Sequence, residues 1–315
     1  MRLEERVNSY GSFLKKRYGC RVFRVGISFG LNCLHREKNK GCIFCLPETF
    51  SQEESRAFCG KPDEIGINQL ELIIPRVKRG IGLKEHDVGA FLAYFQSGLP
   101  AVVDNNELEK LLIKTASYPG IKGIIIASKP GHLREDTIRM LKDLPTDTFL
   151  EIGMQTSHQI SLDFLNREQT ITEMESALEL CLKYGIRTGV HLIIGIPGET
   201  SEDICATIDY VNDKKIITEV KLHNLVVYQG TALEGYPKNI LDSIPCLDKY
   251  LKILGMIILR LRKDIVISRF FTSNVKGNNK ALNPFLGVKR DWINSLVKYL
   301  NDNDIVQGTN SVVRS

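Results

Sequence analysis

No apolar run in this chain of 315 residues approaches the roughly 18 that a bilayer-spanning helix needs. The opening stretch, "MRLEERVNSYGSFLKKRYG", has no apolar core of the kind a secretory leader carries. Both absences set the expectation of a cytoplasmic protein without a membrane partner. Internal repeats and low-complexity tracts are missing too, which excludes a repeat array. A disulfide framework is also absent. A stapled scaffold is far shorter, and Cys20, Cys59, Cys181, Cys205 and Cys246 stand apart along the chain as free thiols do. What is present, 43% hydrophobic and 25% charged residues, suits a globular body of enzyme size.

Net charge is only +5, but it is unevenly placed. In the first 45 residues, ten basic side chains (Arg2, Arg6, Lys15, Lys16, Arg17, Arg21, Arg24, Arg36, Lys38 and Lys40) oppose Glu4, Glu5 and Glu37. The remainder is therefore slightly acidic. A basic end of this kind fits either a polyanion such as RNA or a solvated helix.

From residue 20 onward, short β-rich runs alternate with helical ones. "RVFRVGISF", "VGAFLAYF" (88–95), "GIIIAS" (123–128), "TFLEIGMQT" (148–156), "RTGVHLIIGIPG" (187–198) and "TEVKLHNLVVY" (218–228) read as six strands. Between them, stretches such as "ITEMESALELCLKYG" carry apolar residues at helical spacing. Thr200 with Asp203 caps one helix and Gly185 stops another. The alternation predicts a parallel sheet, and "LIIGI" and "GIIIA" predict strands covered on both faces. Six units fall short of a closed eightfold barrel. The expected fold class is α/β: a partial (β/α)6 TIM-like barrel of parallel strands with an N-terminal helix and an α-rich C-terminal extension. Ligands are expected at the carboxyl ends of its strands. Residues 1–230 are expected to form the core and 231–315 an extension packed on it, since no flexible linker separates them.

"CLHREKNKGCIFC" leaves the end of the first strand, where such a barrel presents its active site. Cys42 and Cys45 can bind one metal centre from a single turn, which Gly41 lets bend tightly, and Cys33 returns to it by a flexible loop. Zinc held by the three thiolates and His35 is one possible occupant. A cubane iron–sulfur cluster is the other: three thiolates hold three irons, and the fourth is open to a chelating ligand. No second Cys-x-x-Cys supports a zinc ribbon, so the cluster is the expected occupant, with Phe44 packed beside it.

Three cysteines on a loop after the first strand, with an aromatic before the third, resemble the radical S-adenosylmethionine (SAM) superfamily. Their spacing is similar to that of the branch that includes the Elongator catalytic subunit. "NSYGSFLKKRYG", "FLAYFQSG", "LEIGMQTSH", "VHLIIGIPGET", "VKLHNLVVYQGTAL" and "KYLNDNDIVQG" extend the resemblance to the YhcC-type radical SAM proteins over nearly the whole chain.

The resemblance implies an enzyme with a [4Fe-4S] cluster on Cys33, Cys42 and Cys45 and SAM on the open iron. It implies that SAM is cleaved reductively and that hydrogen is abstracted from a substrate C–H bond. Gln96 and Ser97 take the place of the methionine-amino contact, and Ser128 and Lys129 that of a ribose or carboxylate contact. The "IIGIPGE" segment, with Gly195, Ile196 and Pro197, would lie against adenine. Glu151 and Gln155, four apart on one strand, face the same side, where a ribose diol or an ammonium would serve as partner. His191 and His223 on the fifth and sixth strands, Tyr228 after the sixth, and Arg269 in "VISRFF" are the substrate candidates. An electron donor such as flavodoxin or ferredoxin is implied as a partner, and a tRNA base is the expected substrate. The alternatives are a small-metabolite radical SAM enzyme and a zinc-stabilised RNA-binding protein without catalysis.

Overall fold

The computed structural model describes residues 1–28, 33–46, 61–83, 89–96, 103–272, 281–283, 285 and 288–310. Its strands are β1 (Phe23–Ile27), β2 (Phe91–Phe95), β3 (Ile121–Ser128), β4 (Asp147–Gln155), β5 (Arg187–Ile194), β6 (Ile217–Asn224) and β7 (Val266–Arg269). They form one sheet in chain order, every neighbouring pair parallel. Right-handed twist repeated at each step curls such a sheet into a half-barrel. The helices are α1 (Leu3–Arg6), α2 (Tyr10–Tyr18), α3 (Leu34–Asn39), α4 (Pro62–Gly80), α5 (Asn105–Ala116), α6 (Glu135–Asp143), α7 (Gln159–Phe164), α8 (Ile171–Tyr184), α9 (Ser201–Asp213), α10 (Lys238–Leu241), α11 (Leu247–Arg260) and α12 (Lys289–Asp302). Among the described residues, no helix is long and apolar enough to cross a membrane.

One parity of each strand faces the helices. Ile124, Ile126, Leu150, Ile152, Val190, Leu192, Val220 and Leu222 join Leu108, Leu112, Ile138, Met174, Leu178, Ile204 and Leu254 in a single core. The other parity faces the lumen, because successive side chains on a strand point opposite ways. The helix ends follow the predicted chemistry. Thr200 Oγ1 accepts from the Asp203 amide, the Asp203 carboxylate accepts from the Thr200 amide, and Gly185 ends α8 at φ +64°.

The partial barrel has one strand more than expected. "VISR" is only four residues long and carries no alternation to mark it, yet β7 pairs with β6. The segment 231–315 therefore completes the sheet as well as covering it. Both chain ends brace this edge. The Ile267 amide donates to the Asn8 carbonyl at 2.9 Å, and Gln307 Nε2 donates to the carbonyls of Arg262 and Ile265 at 2.7 and 2.8 Å.

Part of the basic N-terminal region is spent on the fold. Arg6 is buried and pairs with Asp304 at 2.6 Å. Arg17 grips Asp147 with two bonds of 2.7 and 2.5 Å, Arg21 lies over the Phe23 ring, and Arg24 enters the lumen. Lys15 and Lys16 remain exposed. The positive excess is therefore a weaker argument for RNA than its count suggests.

α2 plugs the amino-terminal mouth of the half-barrel. Ser9 caps it, Gly19 at φ +70° ends it, and Leu14 packs against Leu92, Tyr94, Ile125 and Phe149 of the lumen wall. Leu14 is 3% exposed, so Leu14→Ala should cost about 3 kcal/mol in urea unfolding. A loss below about 1 kcal/mol would mean that the plug does not bear on the barrel.

Candidate active site

Above the plug lies a charged layer built by five strands. Glu151 of β4 is 2% exposed and receives Arg24 Nη1 of β1 at 2.7 Å, Lys221 Nζ of β6 at 2.8 Å and His191 Nε2 of β5 at 2.6 Å. Lys221 Nζ also donates to the Tyr94 hydroxyl of β2 at 2.8 Å, and Arg24 Nη2 reaches Glu219 at 3.0 Å. Burial opposes a charge on Glu151, but Arg24, Lys221 and His191 outweigh it and hold the carboxyl well below its usual range. Burial, opposed by Glu151, brings Lys221 down to about 8. Burial and then Lys221 bring His191 down to about 4. A neutral imidazole facing a carboxylate must donate to it. His191 therefore carries its proton on Nε2 and its lone pair on Nδ1. His223 lies beside it with ring centroids 5.4 Å apart, and its buried Nε2 has no partner. Burial, followed by His191 and Arg269, keeps His223 neutral as well.

The cysteine loop sits over the carboxyl end of this lumen. The chain between Cys33 and Cys42 is not the expected flexible loop. It forms α3, followed by two left-handed residues, Lys40 at φ +64° and Gly41 at φ +76°. The segment after α7 clamps it. Asn166 Nδ2 donates to the Gly41 carbonyl at 2.7 Å, the Ile43 amide to the Leu165 carbonyl at 3.1 Å, and Glu168 binds His35 Nδ1 at 2.6 Å. Arg167 closes the site: its Nη1 donates to Cys42 Sγ at 3.5 Å and its Nη2 to the Gly153 carbonyl at 3.4 Å. Burial, then the nearby Cys42 and Cys33, push the Cys45 thiol up to about 11. Lys129 feels Arg167 and Cys42 there, and burial lowers it.

These residues fit a cubane better than a single ion. Among the described residues, no three His, Cys, Asp or Glu side chains are gathered closely enough to hold one metal ion. A cubane does not require that, because its thiolates bind separate irons at separate corners. His35, the fourth ligand of the zinc reading, has its Nδ1 on Glu168 and a buried Nε2 without a partner.

A family profile described as the radical SAM superfamily matches residues 27–211, more than half of the chain. The chain belongs to the radical SAM superfamily. It is 25% identical to protein YhcC of Escherichia coli K12 over 98% of this chain and 96% of that one. It is 27% identical to a tRNA-2-methylthio-N(6)-dimethylallyladenosine synthase of Sulfurihydrogenibium over 73% of this chain and 49% of that one, so it spans about half of that relative. The solved Elp3 of Methanocaldococcus infernus superposes with a TM-score of 0.66 at 13% identity. The match covers 91% of this chain and 64% of that one, and is a likeness of fold. Membership makes this chain an enzyme of the radical SAM class, whose cofactors are a [4Fe-4S] cluster and SAM. The zinc-protein alternative falls with it.

The remaining predicted positions scatter around the lumen. Phe44 is half-buried against Ile43, Ile193, Ile196 and Leu225. Gln96 is exposed at the end of β2, and Ser97 lies outside the described residues. Ser128 is buried and donates to the Lys129 carbonyl, while Gln155 is buried at φ +69°, beside Gly153. A side chain on Gly195 would strike Pro245, which with φ +91° accounts for that glycine by packing alone. Pro197 is half-buried next to it. Tyr228 is buried with Leu46 and Val226. Arg269 of β7 faces Tyr94, Glu151 and Arg24, and burial lowers it.

Sequence reasoning missed Arg24, Lys221 and Tyr94 in the charged layer, and Asn166, Arg167 and Glu168 in the clamp. A lysine inside the apolar "EVKLHNL" was the available signal for the first group, since an inward-facing lysine needs a carboxylate. "LNREQT" held no such signal, because polar residues before a helix cap are ordinary.

Glu151→Gln would leave Arg24 and Lys221 buried without their counter-ion and should destabilise the protein by about 3–5 kcal/mol in chemical denaturation. His191 sets an acid limb. Its folded pKa of about 4 lies below the unfolded 6.5, so only the unfolded chain binds that proton between the two values. Through His191 alone, stability should therefore fall by up to about 3 kcal/mol as pH drops from 6.5 to 4, and His191→Gln should make that limb shallower, leaving the share of His223. An unchanged slope in the variant would remove His191 as its source.

Proposed function

We propose that this chain cleaves SAM reductively on a cluster held by Cys33, Cys42 and Cys45, and abstracts hydrogen from a substrate bound in the lumen below. The observation that carries this reading is the cysteine loop clamped over the carboxyl end of the lumen, with Arg167 against Cys42. A cluster held there would supply the electron that opens bound SAM to radical chemistry. The chain's own groups position and enclose. Arg167 and Lys129 place two cations beside Cys42, where they offset thiolate charge and offer donors to the SAM carboxylate. Phe44, Ile193, Ile196 and Leu225 make an apolar wall that keeps water from the reacting centre. His191 offers a lone pair on Nδ1, held in place by Glu151, to a substrate proton. Gln155 at the end of β4 is assigned to the ribose or the methionine ammonium.

A tRNA substrate is a second reading. It is favoured by the similarity to the tRNA-modifying synthase. Binding of bulk tRNA that weakens steeply with salt would support it, and no binding at low salt would end it.

The anaerobically reconstituted protein should be brown and should release 5′-deoxyadenosine from SAM with dithionite. Cys42→Ala should abolish both. A colourless protein with one zinc per chain would sink the assignment.

A further inference from the structure

The charged layer of the lumen is not balanced within itself. Arg24, Lys221 and Arg269 oppose Glu151 and Glu219, and both histidines are neutral. At least one positive charge is left over, because burial also raises Glu219 towards its neutral form. Arg24 has two carboxylates and Lys221 has Glu151 and the Tyr94 hydroxyl, so both are spoken for. The Arg269 guanidinium makes no hydrogen bond or ion pair among the described residues, although it feels the fields of Tyr94, Glu151 and Arg24. His223 Nε2 is the other incomplete group, buried with no partner. The two sit on adjoining strands, Arg269 in register with Lys221 and therefore one inward step from His223. Lys289 at the start of α12 adds a further positive field beside Arg269, and burial lowers it. A leftover cation and an orphaned imidazole inside a barrel are costly unless something completes them.

We propose that the floor of the lumen is a carboxylate site, in which the Arg269 guanidinium and His223 Nε2–H bind the single carboxylate of a small substrate or co-substrate. One carboxylate offsets the charge of Arg269, whereas a phosphate dianion would set a second negative charge beside Glu151. The planar guanidinium fork matches a carboxylate's two oxygens, and the imidazole supplies a third donor. The next inward positions towards the cysteine loop are Ile193 on β5 and Leu225 on β6, both apolar and packed with Phe44. The fitting molecule therefore has an acidic end at the floor and an apolar stem rising towards the radical. The inference depends on the proposed function only in taking the lumen as the substrate's place.

The test uses the anaerobic, cluster-loaded protein and its thermal midpoint. Sodium acetate should raise the midpoint in a saturating way, beyond acetamide with sodium chloride at equal ionic strength. Arg269→Met should raise the midpoint without acetate by about 2 °C, because it removes an uncompensated charge, and should erase the acetate response. His223→Phe should blunt that response as well. The proposal is overturned if acetate does no more than the control, if Arg269→Met lowers the midpoint, or if either variant keeps the full response. Release of 5′-deoxyadenosine by the same wild-type preparation reads the cofactor assignment separately, so either can fail alone.

Discussion

A carboxylate buried inside a barrel holds only if cations are brought to it, and Glu151 draws them from strands far apart in the chain. Arg24 comes from β1, Lys221 from β6, and the neutral His191 from β5. The cost of taking Glu151 out of water is offset only while all of these stay in place, so the carboxylate couples the two sides of the half-barrel. The order of the lumen follows from it. Below lies the apolar plug of α2, at its level the charged layer, and above it the apolar ring around Phe44.

The cysteine loop depends on a different kind of interaction. Several of its ties end on the loop's own main chain, beside the side-chain contacts Glu168–His35 and Arg167–Cys42. Asn166 ties Gly41, Leu165 ties Ile43, and the Leu233 amide takes the Ile43 carbonyl at 2.9 Å. A loop held through its main chain leaves its sulfurs free for metal. Arg167 then links that loop to β4, so the cysteine loop and the charged layer share one strand.

Much of the architecture was legible because it rests on local pattern. The apolar runs of β3 and β5 and the caps at Thr200 and Gly185 declare themselves within a few residues, and so does the Cys42–Cys45 pair. β7 did not, because four residues on a sheet edge carry too little alternation to separate them from a loop. Glu151 stood out as a polar group on an apolar strand, but its partners did not. Lys221 lies 70 positions away and reads as a surface lysine until the barrel curls. The basic N-terminal region hides its partners for the same reason: Asp147, the counter-ion of Arg17, is 130 positions distant.

By itself, the sequence determined the parallel α/β plan, the family through its ordered motifs, and the three-thiol loop, since each is written in neighbouring residues. Only the tertiary structure decided which charges are spent on one another, which are left over, and what clamps the thiols in place. Pairing of buried charge is a matter of distance across a lumen, and that distance does not exist until strands remote in the chain are curled around the same space.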